Sequence, residues 1–98
     1  MTLQEIIADI HGMDRELQEY EDKYGLRSRY FYELYTSGKL RDEDPDESRE
    51  YGDWAACYEI KTHRERLYDA MVQNVLRPLR VSASISLPAL KPRLLAGI

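Results

Sequence analysis

Cys57 is the only cysteine in the chain, which excludes an internal disulfide and suits a reducing, cytoplasmic setting. It sits among apolar residues with no base close by in sequence, the pattern of a core residue rather than a nucleophile. Histidine is scarce too. His11 and His63 fall on separate predicted helices with no cysteine beside either, so a zinc site is not expected. His11 borders an apolar face and reads as a packing residue, whereas His63 reads as solvated. No glycine-rich loop is present to cradle a phosphate, and DEDPDES lacks the glycine and closing glutamate of a calcium loop. No stretch approaches the roughly 20 apolar residues that cross a bilayer. The opening MTLQEIIADIHG has no basic lead and carries Glu5 and Asp9 inside its apolar run, unlike a signal peptide. These absences lead us to expect neither an enzyme nor a cofactor, metal or membrane.

What is present is charge, arranged unevenly. Residues 1–76 hold all 18 acidic residues against 10 of the 14 basic ones, a net charge of −8. The last 22 residues hold Arg77, Arg80, Lys91 and Arg93 and no acid. A body this acidic repels a phosphate backbone, so direct binding of nucleic acid is not expected, and a basic protein partner is favoured. Acidity that only keeps the chain soluble is the plainer alternative for any one patch.

The first helix is legible in detail. Thr2 caps it, with Glu5 completing a capping box. Leu3, Ile6, Ile10, Met13, Leu17, Tyr20 and Tyr24 then recur at alternating spacings of 3 and 4, a heptad seam. Gly25 stands where a left-handed C-terminal glycine belongs, giving a rod roughly 33 Å long. A short second helix follows, with Ser28 as its cap, Tyr30–Tyr35 as its body and Gly38 as its stop. RDEDPDES reads as a solvated loop, and Asp46 or Ser48 caps a third helix that Pro78 should end near Leu76. Its two apolar ends, Tyr51 to Tyr58 and Leu67 to Leu76, are separated by a polar break at Lys61, Arg64 and Glu65. Such a break either sets register, or the stems of Lys61 and Arg64 lie along apolar surface with their charges in water. The second reading is the plainer one.

After Arg80 the composition changes abruptly, and an altered reading frame is one reading of that change. Val81, Ala83, Ile85 and Leu87 alternate with Ser82, Ser84 and Ser86, the period of a half-buried strand. The chain offers no second strand to pair with it, so this basic tail over 77–98 is expected to be extended, and either flexible or paired with another polypeptide.

The expected fold is therefore all-α. Two long helices form an antiparallel hairpin over residues 1–76, with the short aromatic helix closing one end. KYGLRSRYFYELYTSGKL, Lys23 to Leu40, puts five rings into the twelve residues from Tyr24 to Tyr35. Tyr24, Phe31, Leu34 and Trp54 are expected to form a cap core that pins the turn. Tyr30, Tyr32 and Tyr35 exceed what that core can bury and are the candidates for contact with another chain, as are Val81, Ala83, Ile85 and Leu87. A hairpin of this size covers little of its own seam, so pairing into a four-helix bundle, as a homodimer, is the first expectation. The least favoured reading, a metal-dependent nucleotide hydrolase, would need Glu16 and Glu19 to face Glu50 and Asp53.

EYEDKYGLRSRYFYELYTSGKL, an acidic loop, and EYGDWAACYEIKTHRERL together resemble a group of small prokaryotic helical-hairpin proteins. Their pattern is lysine-tyrosine-glycine, a short FYE-Y…GKL helix, an acidic turn and a WAxxYE third helix. It falls here on Tyr24, Gly25, Phe31, Tyr32, Glu33, Tyr35, Gly38, Leu40, Trp54, Ala55, Tyr58 and Glu59. The resemblance covers roughly residues 1–76. It implies an antitoxin-like role, in which the chain sequesters a small, basic, toxin-like protein; a homodimeric assembly protein is the alternative.

Overall fold

The computed structural model describes residues 1–41, 43–81 and 84–96. Among them the chain forms four helices and no strand: α1 (Leu3–Tyr24), α2 (Ser28–Thr36), α3 (Pro45–Leu79) and α4 (Leu87–Ala96). Thr2 Oγ1 accepts from the Glu5 amide at 3.1 Å while Glu5 Oε1 accepts from the Thr2 amide at 3.2 Å, the reciprocal box that starts α1. Gly25 ends it at φ 69°, donating its amide to the Glu21 carbonyl at 2.8 Å. Gly38, at φ 73°, reverses the chain after α2 in the same way.

α1 and α3 lie side by side and antiparallel. The pairs Lys23–Glu50, Asp14–Lys61 and Asp9–Arg64 have residue numbers that add to nearly the same total, so one register holds along the whole contact. Two apolar ends flank a charged middle. Leu17, Phe31, Trp54, Ala55 and Cys57 form the buried cluster beneath α2, and Leu3, Ile6 and Val72 are buried towards the other end. Between them Lys61 Nζ meets Asp14 at 2.7 Å and Arg64 Nε meets Asp9 at 3.1 Å. The stems do not simply carry their charges into water; each cation bridges to α1 across the polar break.

Several local expectations are corrected. Ser28 does not cap α2. It is the helix's first residue and is buried, while Arg27 occupies the cap position without a side-chain bond. α3 starts earlier than expected, because Asp44 is its cap, accepting from the Glu47 amide at 2.8 Å. Pro45 then serves as first helical residue, where its fixed φ fits and its missing donor costs nothing. At the other end α3 runs through Pro78 to Leu79. The proline lies in the last turn and forfeits a single bond, to Asn74, and the Arg80 amide still closes on Leu76 at 3.2 Å.

The extended tail is also corrected. Ser82 and Ala83 lie outside the described residues, Ser84 to Ser86 have no regular structure, and Leu87 opens a helix. With no partner strand, the local hydrogen bonds of a helix satisfy the backbone instead. Ser86 provides the start, its hydroxyl accepting from the Ala89 amide at 3.3 Å and its carbonyl from the Leu90 amide at 3.0 Å. α4 returns against α1 and α3, and none of its residues is buried. The whole is a rod of 57 × 22 × 21 Å with the rings at one end and α4 towards the other.

Candidate functional site: the aromatic end and the acidic groove

Three helices meet at one buried junction. Ser28 donates from both its amide and its hydroxyl to Glu21 Oε2, each at 2.7 Å. The Ser28 hydroxyl oxygen in turn accepts from Trp54 Nε1 at 2.8 Å. Glu21 of α1 thereby serves as the capping acid that α2 lacks in its own sequence. Burial pushes the Glu21 carboxyl up, but the Ser28 bonds, with Arg27 alongside at 3.3 Å, outweigh it and hold the group below the usual range.

Around this junction the rings stack on the Trp54 indole. Phe31 lies parallel at 3.7 Å between centroids, with Tyr20 and Tyr24 near-parallel at 5.4 and 5.6 Å. Two tyrosines are also tied by their hydroxyls. Tyr24 donates to Glu50 at 2.6 Å, beside the Lys23 ammonium at 2.8 Å from the same carboxylate. The Glu50 bond raises the Tyr24 pKa, and the Lys23 bond lowers that of Glu50. Tyr32 donates to Glu59 at 2.7 Å and leans on Tyr58 at 5.0 Å. Tyr32 is thus half-buried and engaged within the chain.

What remains outward on α2 is a different set. Tyr30 is 50% exposed and Leu34 37%, one helical turn apart, and Tyr35 is 39% exposed while its ring stacks on Phe31. The hydroxyls of Tyr30 and Tyr35 meet no partner among the described residues. Leu34 was expected in the cap core. One turn on from Phe31, it lies at the edge of the buried face and stays partly exposed instead. Arg29 sits over the Tyr30 ring at 5.4 Å, adding a cation to this patch.

The tail candidates do not join this site, because α4 packs on α1 and α3 and not on α2. Val81 is 89% exposed, Leu87 78%, and Ile85 is also exposed; Ala83 lies outside the described residues.

A second feature lies on the side of the α1–α3 pair away from α2, where Glu16 and Glu19 come near Asp53, three of the four acids that the least favoured sequence reading required to converge. There a groove of about 470 Å³ has Met13, Tyr20, Ala56 and Ile60 along it and the carboxylates of Glu16, Glu19 and Asp53 at its margin. None of these three acids forms an ion pair among the described residues. Cys57 lies at its base, its thiol donating weakly to the Met13 carbonyl at 3.6 Å and to Glu16 at 3.5 Å. Burial, and then Glu16, push that thiol up to about 12. Asp53 shows in the sequence as an acid one residue from Trp54. The register of α1 against α3 sets Asp53 in one groove with Glu16 and Glu19, while Glu50 is held apart by Lys23 and Tyr24.

Among the described residues, no group of three or more histidine, cysteine or acidic side chains is placed to hold a metal, and Glu50 is engaged with Lys23 and Tyr24. No helix there is long and apolar enough to cross a membrane. The chain matches no known protein family, no curated protein and no solved structure.

Proposed function

We propose that this chain is a helical-hairpin binding module that holds another polypeptide, in the antitoxin-like manner its sequence pattern implies. The observation that carries this reading is the division of α2 into two faces. Ser28 and Phe31 fasten its inner face, and Tyr30 and Leu34, one turn apart beside it, are left partly exposed. Large rings cost free energy to leave in water, and aromatic residues with an arginine beside them are the groups enriched where protein surfaces meet. The acidic body selects a basic partner and speeds its approach.

The test is co-expression of the tagged chain with the products of the genes that flank its own. We expect a basic flanking product that slows growth alone, is neutralised by this chain and co-purifies with it. The variant carrying Tyr30→Ala and Leu34→Ala should fold and lose that capture. Flanking products that neither bind nor impair growth would overturn the proposal.

A further inference from the structure

The groove between α1 and α3 is half of a complementary pair, and the chain carries the other half. Within the groove, Met13 and Tyr20 lie seven residues apart on α1, an apolar strip of roughly 10 Å. Glu16, Glu19 and Asp53 border it without cations to neutralise them. On α4, Leu87, Lys91 and Leu95 stand at i, i+4 and i+8 and so share one helix face over roughly 12 Å. All three are exposed, and Lys91 forms no ion pair among the described residues. The side of α4 carrying Pro92, Arg93 and Ala96 borders Val75, Pro78 and Leu79 of α3 instead. One surface is an apolar strip bordered by three acids without cations; the other is an apolar stripe with an unpaired cation at its centre.

These two surfaces are not in reach of each other within one chain. α4 packs near Val75, whereas the groove is centred near Ala56, roughly 28 Å back along α3. We propose that the groove receives α4 of a second copy, so that the protein self-associates through α4-in-groove contacts. Two-fold symmetry would make each contact twice, since each copy carries both surfaces. Face-to-face pairing of two hairpins into a four-helix bundle through this groove would set Glu16, Glu19 and Asp53 against their own equivalents. Like charges at such short range oppose that arrangement. Exchange of α4 replaces the repulsion with attraction. It also covers Leu87 and Leu95, which the chain alone leaves in water.

Sedimentation velocity of the full chain, from micromolar to millimolar concentration, tests this. We expect a concentration-dependent dimer whose association weakens as salt is raised, because the contact is charge-assisted. Glu19→Lys with Asp53→Lys should weaken dimerisation at least tenfold, and so should Lys91→Glu with Leu87→Ser. Joining Lys91→Glu to the two groove substitutions should restore it in large part. All these positions are exposed, so circular dichroism should show unchanged helix content. A chain that stays monomeric throughout would overturn the proposal. So would a dimer indifferent to both sets of substitutions, or one that the combined charge reversal fails to restore. The Tyr30 and Leu34 surface is untouched by these variants, so the outcome is separate from that of partner capture.

Discussion

Trp54 of α3 donates its indole N–H to the hydroxyl oxygen of Ser28 at 2.8 Å, and that same hydroxyl donates onward to Glu21 at 2.7 Å. A serine of two per cent exposure thereby joins all three helices at the aromatic end. Its hydroxyl is used as donor and acceptor at once, which no apolar residue of similar size can reproduce.

Ser28→Ala should cost about 1–3 kcal/mol, the range for leaving a buried donor without its partner. Chemical denaturation followed by circular dichroism measures it. In the Trp54→Phe background, where the donor is already gone, the same substitution should cost clearly less. Equal costs in the two backgrounds would show that the indole bond contributes nothing.

Stability should fall on the acid side, and Glu21 should account for part of the fall. Its folded carboxyl titrates below the ordinary value of 4.5, so its contribution is complete above that pH. The contribution is lost as pH drops through the lower, folded value. Thermal unfolding between neutral and strongly acidic pH should show this slope, and Glu21→Gln should flatten it. An unchanged slope in the variant would assign the acid sensitivity to other groups.

The extent to which this arrangement could be read from the chain follows the range of the interactions. The Thr2–Glu5 box, the α1 seam, Gly25 and Gly38 are set by neighbours within one or two turns, and they were legible. Ser28 reads as a cap because a serine before a helical pattern ordinarily is one, whereas its acceptor and its donor come from two other helices. The proline of RDEDPDES and Pro78 read as interruptions, although a proline in the first or last turn of a helix is tolerated. The alternation over Val81–Leu87 matched a strand, but with no second strand in the chain the local bonding at Ser86 prevailed. The exposed side of Leu34 and the acidic groove depend on which face of each helix meets its neighbour, information that one helix alone does not hold.

The charged middle of the α1–α3 pair should set register more than stability. A double-mutant cycle on Asp14 and Lys61, paired at 2.7 Å and partly exposed, should give a coupling of about 0.2–1 kcal/mol. Exchanging the two residues should retain most of it, since the pair would be re-formed with its charges reversed. A coupling of zero would return Lys61 to a side chain that merely lies along the surface.

Cys57 should be inert while the chain is folded. Its thiol is buried and pushed up to about 12, so almost no thiolate exists at neutral pH. Alkylation by iodoacetamide, followed by mass spectrometry, should be slow in buffer and fast in denaturant. Equal rates in the two conditions would contradict the buried placement.

The central claim, that α2 is fastened by one face and spare on the other, is tested most directly by comparing two variants in equilibrium denaturation. Phe31→Ala should lose about 3–5 kcal/mol, as expected for a buried aromatic ring. The double variant Tyr30→Ala with Leu34→Ala should stay within about 0.5 kcal/mol of the parent chain for each substitution. A double variant that unfolds as readily as Phe31→Ala would mean that these side chains hold the fold together, leaving no spare surface for a partner.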